Sequence, residues 1–231
     1  MNIYFLVEGK RTEMKVYPKW LSYLIPELQR SMNFDAVTKN NYFIFSGNGF
    51  PSLLDNHLRN CIIDINNAGN YDYFVICLDA DEQNIEACKQ EILDFMAEKK
   101  IVLNANTKFE IIVQNKCLET WFLANPKIFK KNPNSDFLKE CIEFYNVKKD
   151  DPELMGKLSD FEGSTSIFHF EYFKELLLEK AKVHYSKNNP KEVVEEYFLR
   201  ELMLRNQKTN HITSFQHFIQ FCEQIRAKIT Q

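Results

Sequence analysis

Four short apolar runs, each closing on a polar or glycine-containing turn and each followed by a helical pattern, leave this chain few folds to choose from. Ile3-Tyr4-Phe5-Leu6-Val7 stops at Glu8-Gly9, and Tyr42-Phe43-Ile44-Phe45 stops at Ser46-Gly47-Asn48-Gly49. Tyr73-Phe74-Val75-Ile76-Cys77-Leu78 stops at Asp79-Ala80-Asp81, and Phe109-Glu110-Ile111-Ile112-Val113 leads to Asn115. Runs this continuous predict strands buried on both faces. Between them, Thr12 reads as the N-cap of a helix reaching about Met32, with Pro18 and Pro26 as places where it kinks or divides in two. Leu53, Leu54, Leu58, Ile62 and Ile65 share one helical face, and residues 84–99 and 117–123 read as two further helices. Strand and helix alternating in this way predict an α/β fold with right-handed crossovers and a mainly parallel sheet flanked by helices.

Beyond Pro126 no strand pattern stands out. Residues 135–146, 166–184, 191–205 and 213–228 read as helices, joined by Asp150-Asp151-Pro152 and Asn188-Asn189-Pro190. Asn125-Pro126 is the expected seam, giving a catalytic domain over 1–125 and an α-helical C-terminal extension over 126–231. No flexible Gly/Ser stretch separates them, so the helices are expected to pack on the sheet domain. The six cysteines are scattered without a Cys-x-x-Cys pair, which argues against a zinc module. With no signal-like opening and no apolar run of membrane-spanning length, the expectation is a reduced, cytoplasmic protein without a membrane anchor. The 20 Phe, 10 Tyr and 2 Trp are expected mainly in the core.

The ends of the apolar runs carry acids. In a parallel sheet, ligands bind outside the carboxyl ends of the strands. Glu8 follows the first run, and Asp79 and Asp81 close the third. Residues i and i+2 of an extended segment project to one side, about 6.5–7 Å apart at Cα, so Asp79 and Asp81 can address one or two hard cations. Mg²⁺ is normally held by one or two carboxylates together with substrate phosphate oxygens. Glu8 completes such a cage or serves as acid or base. Lys10 and Arg11 bring positive charge for a phosphate. The bland alternative is that Asp-x-Asp after a strand is a turn or a helix cap.

These residues resemble the Toprim domain, the topoisomerase-primase fold, whose pattern is a glutamate after the first strand and Asp-x-Asp after the third. Val7-Glu8-Gly9-Lys10 and Leu78-Asp79-Ala80-Asp81 match it. Thr12-Glu13 is similar to the Glu-Gly-x-Thr-Glu form of the nuclease-like branch, with Arg11 as an extra residue. Gln114-Asn115-Lys116-Cys117-Leu118-Glu119-Thr120-Trp121-Phe122-Leu123 resembles the Asn-x-Cys-x-Glu-x-Trp-x-Leu segment of RloB-type proteins, small relatives of the OLD-family nucleases. Tyr185-Ser186-Lys187 and Thr213-Ser214-Phe215 are similar to their late Tyr-x-Lys and Ser-Phe elements. The resemblance covers residues 1–125 well and the remainder loosely.

It implies a Rossmann-like Toprim sheet and Mg²⁺- or Mn²⁺-dependent cleavage of nucleic-acid phosphodiesters, tRNA or DNA. Several such proteins act in antiviral defence beside a separately encoded ABC-type ATPase, and small Toprim effectors often form homodimers. Asp79 and Asp81 would hold the metal, and Glu8 would ligate it or carry a proton. Glu13 and Glu119 would back up the metal's ligands or hold a second metal, and Lys10 would steady the scissile phosphate with Arg11 and Lys187 nearby. The rival expectation is a non-catalytic Toprim-like module that binds and regulates a partner.

The charge balance bears on both. With 29 Lys+Arg against 32 Asp+Glu the net charge is −3, so no global attraction draws the chain to nucleic acid. Gly9-Lys10 lacks the residues of a P-loop, and Gly47-x-Gly49 has Ser52 where a dinucleotide fingerprint needs glycine; it reads as a tight strand-to-helix turn. Trp121 and Phe122 read as core, the five histidines as non-ligands, and Lys182, Lys187 and Lys191 as one solvated helix face, with a phosphate-facing edge as the alternative.

Overall fold

A computed structural model describes all 231 residues. In chain order the elements are β1 (Asn2–Val7), α1 (Glu13–Leu24), β2 (Gln29–Arg30), a 3₁₀ turn (Phe34–Ala36), β3 (Asn41–Ser46), α2 (Phe50–Ser52), a π-helical stretch (Leu53–Leu58), α3 (Arg59–Ala68), β4 (Tyr73–Asp79), α4 (Ile85–Glu98) and β5 (Lys108–Gln114). Helices follow: α5 (Leu118–Leu123), α6 (Asp136–Phe144), α7 (Thr165–Ala181), α8 (Glu196–Thr209) and α9 (Thr213–Thr230), with 3₁₀ turns at Pro152–Leu154 and Lys191–Val194.

The five strands form one parallel sheet in the order β2-β3-β1-β4-β5. β1 is central, with Val7 opposite Ser46 of β3 on one side and opposite Cys77 of β4 on the other. The expected α/β architecture is therefore present. All six β1 residues are buried, as a run apolar on both faces requires.

Two expectations for the first helix change. α1 stops at Leu24, because Ile25 precedes Pro26 and leaves the helical region at φ −136°. The chain then contributes the two-residue strand β2 instead of continuing to Met32. Thr12 flanks the helix in helical backbone geometry, and its side chain does not cap it.

The chain forms two compact units. The first comprises residues 1–78, 85–113 and 217–231, and the second comprises 79–84 and 114–216, which includes Asn125-Pro126. The core of the first unit is aromatic. Tyr17 and Trp20 of α1 meet Phe218 of α9 at 5.4 and 6.3 Å between ring centroids, and Phe5 and Tyr73 meet Phe221 at 6.4 and 5.7 Å. In the second unit Phe122, Phe173 and Phe198 pack mutually at 5.3–6.3 Å, and Trp121 rests edge-on against Phe215. Trp121 and Phe122 are fully buried core, as expected. No helix is long and apolar enough to cross a membrane.

Candidate functional site

The strand order fixes where the acids can lie. From β3 the chain passes over β1 to begin β4 on its far side, so the order reverses between β1 and β4. In open parallel sheets generally, ligands bind outside the carboxyl ends of the strands at such a reversal. Glu8 is the residue after β1, and Asp79 is the last residue of β4.

In the first unit Glu8 is held by its backbone. Its N–H donates to Cys77 O at 2.9 Å, extending the ladder by one bond, and its carbonyl accepts Gly49 N–H at 2.9 Å. Gly47 N–H donates to Val7 O at 2.8 Å, so the Ser46–Gly49 segment is the tight turn that its sequence predicts. Glu13, on the first turn of α1, folds its carboxylate back over Gly9, where a Cβ would collide with both carboxylate oxygens. A side chain at position 9 would oblige the Glu13 carboxylate to swing away. The same carboxylate is felt on β4: burial pushes the Cys77 thiol up to about 12, with Glu110 and Glu13 adding to the shift. Lys10 and Arg11 are exposed on the intervening loop.

In the second unit the acidic turn 79–82 is fastened to two loops. Ala80 N–H donates to Gln114 O at 2.9 Å and Asp81 N–H to Lys116 O at 2.8 Å. Asp81 and Lys116 both adopt left-handed backbone, φ 48° and 73°, a conformation that costs non-glycine residues energy and collects at functional positions. Ser166, on the first turn of α7, donates its hydroxyl to Asp81 Oδ1 at 2.7 Å. The next acid, Glu82, accepts Thr165 N–H at 2.6 Å and Thr165 Oγ1–H at 3.0 Å, and these bonds, the backbone one first, hold its carboxyl below the usual range.

Glu119, the fourth candidate acid, lies inside the second unit. It is 2 % exposed and accepts the Tyr185 hydroxyl at 2.8 Å. Burial pushes the Cys117 thiol well up, with Glu119 and then Asp79 adding to the shift. Lys182, Lys187 and Lys191 do not share a helix face: Lys182 ends α7, Lys187 lies in the Ser186–Asn189 turn, and Lys191 opens a 3₁₀ turn. Lys187 stands 5.8 Å over the Phe170 ring, which lies 5.8 Å from Tyr185, the partner of Glu119.

The chemistry of these donors suits a hard cation. Cys77 and Cys117 are buried with raised thiol pKa values, so at neutral pH neither supplies a soft thiolate. What remains at the strand ends is carboxylate oxygen on partly exposed Glu8 and Asp79 and exposed Asp81, the ligand type of Mg²⁺ and Mn²⁺. The structure does not gather three or more His, Cys, Asp or Glu side chains into a ready-made cage.

Two buried networks support the Asn115–Leu123 segment. In one, His169 Nε2 faces Met155 O at 3.1 Å; a carbonyl can only accept, so Nε2 carries the proton. Bare Nδ1 then accepts Thr120 Oγ1–H at 2.8 Å, and Thr120 Oγ1 accepts Cys117 N–H at 3.2 Å. Burial lowers the His169 pKa to about 4. A histidine neutral when folded but with an ordinary pKa when unfolded stabilises fully above about pH 6.5 and loses that contribution as pH falls through 4. The loss amounts to about 3 kcal/mol. Urea unfolding of wild type and His169→Asn at pH 7 and pH 4.5 should show the variant losing less stability on acidification; equal losses would remove His169 as the cause.

In the other network Ser214 Oγ accepts Trp121 Nε1–H at 2.7 Å and Asn115 N–H at 3.1 Å, and donates to Glu153 Oε1. No protein-family model, curated protein or solved structure matches this chain.

Proposed function

We propose that the chain is a Toprim-like, divalent-metal-dependent nuclease that hydrolyses phosphodiesters of RNA, such as tRNA, or of DNA, and that it serves antiviral defence beside a separate ATPase. One observation carries the reading: half-exposed Glu8 follows β1, and half-exposed Asp79 is the last residue of the neighbouring parallel strand β4, where the strand order reverses. In this reading Asp79 and Asp81 hold Mg²⁺ or Mn²⁺, and Glu13 and Glu119 set the negative potential around them. The bound cation supplies Lewis acidity at the phosphoryl oxygen and an acidified water. Glu8 takes the proton from the attacking water. Lys10, with Arg11 and Lys187, steadies the phosphate, which compensates locally for the net charge of −3. As water adds to phosphorus the P–O bond to the leaving oxygen breaks, and that oxygen takes up a proton.

The engagement of Asp81 by Ser166 and of Glu82 by Thr165 favours a second reading, in which the acidic turn is a clamp on α7 and the molecule binds a partner without catalysis. The two part at the acids. The full chain, with Mn²⁺ or Mg²⁺, should cut at least one of tRNA, single-stranded DNA and plasmid, and Glu8→Gln or Asp79→Asn should lower the rate about 10²- to 10⁴-fold with unfolding unchanged. No cleavage of any substrate, with a partner ATPase present or absent, overturns the nuclease reading.

A further inference from the structure

We infer that Ser166 is a positioning residue for the cation site: its hydroxyl fixes Asp81 Oδ1 so that Oδ2 is the oxygen presented to a divalent ion. The inference rests on the nuclease reading for its cation and on independent geometry for its mechanism.

The turn that carries Asp81 is fixed in backbone and side chain by different partners. Lys116 O holds the Asp81 N–H at 2.8 Å, with both residues in left-handed conformation. That bond fixes where the Asp81 Cα lies and leaves the carboxylate free to rotate. Ser166 supplies the missing restraint. Its single hydroxyl proton has two acceptors in reach, Asp81 Oδ1 at 2.7 Å and Lys116 O at 3.4 Å. The shorter contact, to a charged acceptor, takes it.

Ser166 is itself held rigidly. It lies on the first turn of the 17-residue helix α7, whose end is fastened by the Ser164 side chain accepting Ile167 N–H and by Glu82 accepting both donors of Thr165. Asp81 and Glu82 thus take adjacent residues of α7 for separate purposes. Glu82 satisfies a backbone N–H of the first helical turn, which helps to anchor the turn to the helix. Ser166 offers only a side-chain hydroxyl, contributes nothing that α7 needs for its own termination, and is spent on the orientation of one carboxylate. Asp81 is exposed, so without this bond its rotamers would be free in solvent.

A ligating carboxylate is commonly oriented by such an outer hydrogen bond, and losing the partner typically lowers metal affinity 10- to 100-fold.

The test is Mn²⁺ binding to the full-length protein, followed by calorimetry and by the fall of the free Mn²⁺ electron-spin-resonance signal. Ser166→Ala should weaken Mn²⁺ binding 10- to 100-fold, and Ser166→Thr, which keeps the hydroxyl, should stay within about threefold of wild type. A merely structural serine would lower the unfolding midpoint without moving the Mn²⁺ affinity, and that result overturns the inference. Asp81→Asn separates the two levels. If it abolishes binding while Ser166→Ala stays within about threefold of wild type, the positioning role fails and the metal site stands. If Asp81→Asn or the wild type shows that no Mn²⁺ is held through Asp81, the metal reading fails and takes the inference with it.

Discussion

A chain ended at Gln216 should not fold. The deleted residues belong to the sheet-containing unit, although they are the last to be made. Within them Phe218 and Ile225 are completely buried and Phe221 and Cys222 nearly so. Phe218 fills the space against Tyr17 and Trp20, and Phe221 sits edge-on to Phe5 of the central strand and to Tyr73 of its neighbour. Truncating one buried Phe to Ala costs about 3–5 kcal/mol, through lost transfer energy and the cavity left behind. A whole domain holds only about 5–15 kcal/mol, so removing both rings with the helix that carries them exhausts it. Circular dichroism and urea titration of residues 1–216 should show no cooperative transition, and Phe218→Ala in the full chain should lower stability by about 3 kcal/mol. A soluble, cooperatively unfolding 1–216 fragment would refute this account of the core.

Ser214→Ala is expected to cost about as much through a different mechanism. Its hydroxyl oxygen accepts from Trp121 Nε1 and Asn115 N, and its proton goes to Glu153. Alanine leaves a buried indole N–H and a backbone N–H without that acceptor, and takes one donor from a carboxylate that burial already pushes toward protonation. Each stranded buried group costs about 1–3 kcal/mol, so a loss of roughly 3–5 kcal/mol is expected. Glu153 also accepts Ser214 N–H and the Thr213 hydroxyl at 3.0 Å each, capping the first turn of α9. Removing Glu153 as well should therefore cost less than the sum of the two single changes. A double-mutant cycle for Ser214→Ala and Glu153→Ala by urea unfolding should give a coupling above about 1 kcal/mol; strict additivity would mean that the two side chains act separately.

What the sequence shows of this molecule follows the range of the interactions. β1, β3, β4 and β5 announce themselves because strands of a parallel sheet buried on both faces are written as unbroken apolar runs. β2 is invisible: it is two residues long, both exposed, and Gln29-Arg30 carries no pattern. The π-helical turn at Leu53–Leu58 preserves an apolar face and so reads as ordinary helix. Glu8, Asp79 and Asp81 are legible because strand ends are, and Glu13 only through the resemblance of Thr12-Glu13 to a family motif.

The surroundings of those acids are set by pairings across the chain. Ser166 meets Asp81 from 85 residues away, Tyr185 meets Glu119 from 66, and His169 meets Thr120 from 49. No local periodicity records such partners, since each is a single polar residue on an otherwise ordinary helix or turn. That is why the motif offers Glu119 as a fourth acid without showing that it is buried against Tyr185, and why Ser214 reads as a minor match yet lies at the centre of a network.

The interleaved path of the chain also sets a clock. β1 to β5 leave the ribosome well before the rings of α9 that complete their core. Local elements form as they emerge, whereas cooperative closure of the sheet unit waits for α9. Until α9 has emerged, a nascent or prematurely terminated chain therefore carries Glu8 on a strand end that lacks its finished support.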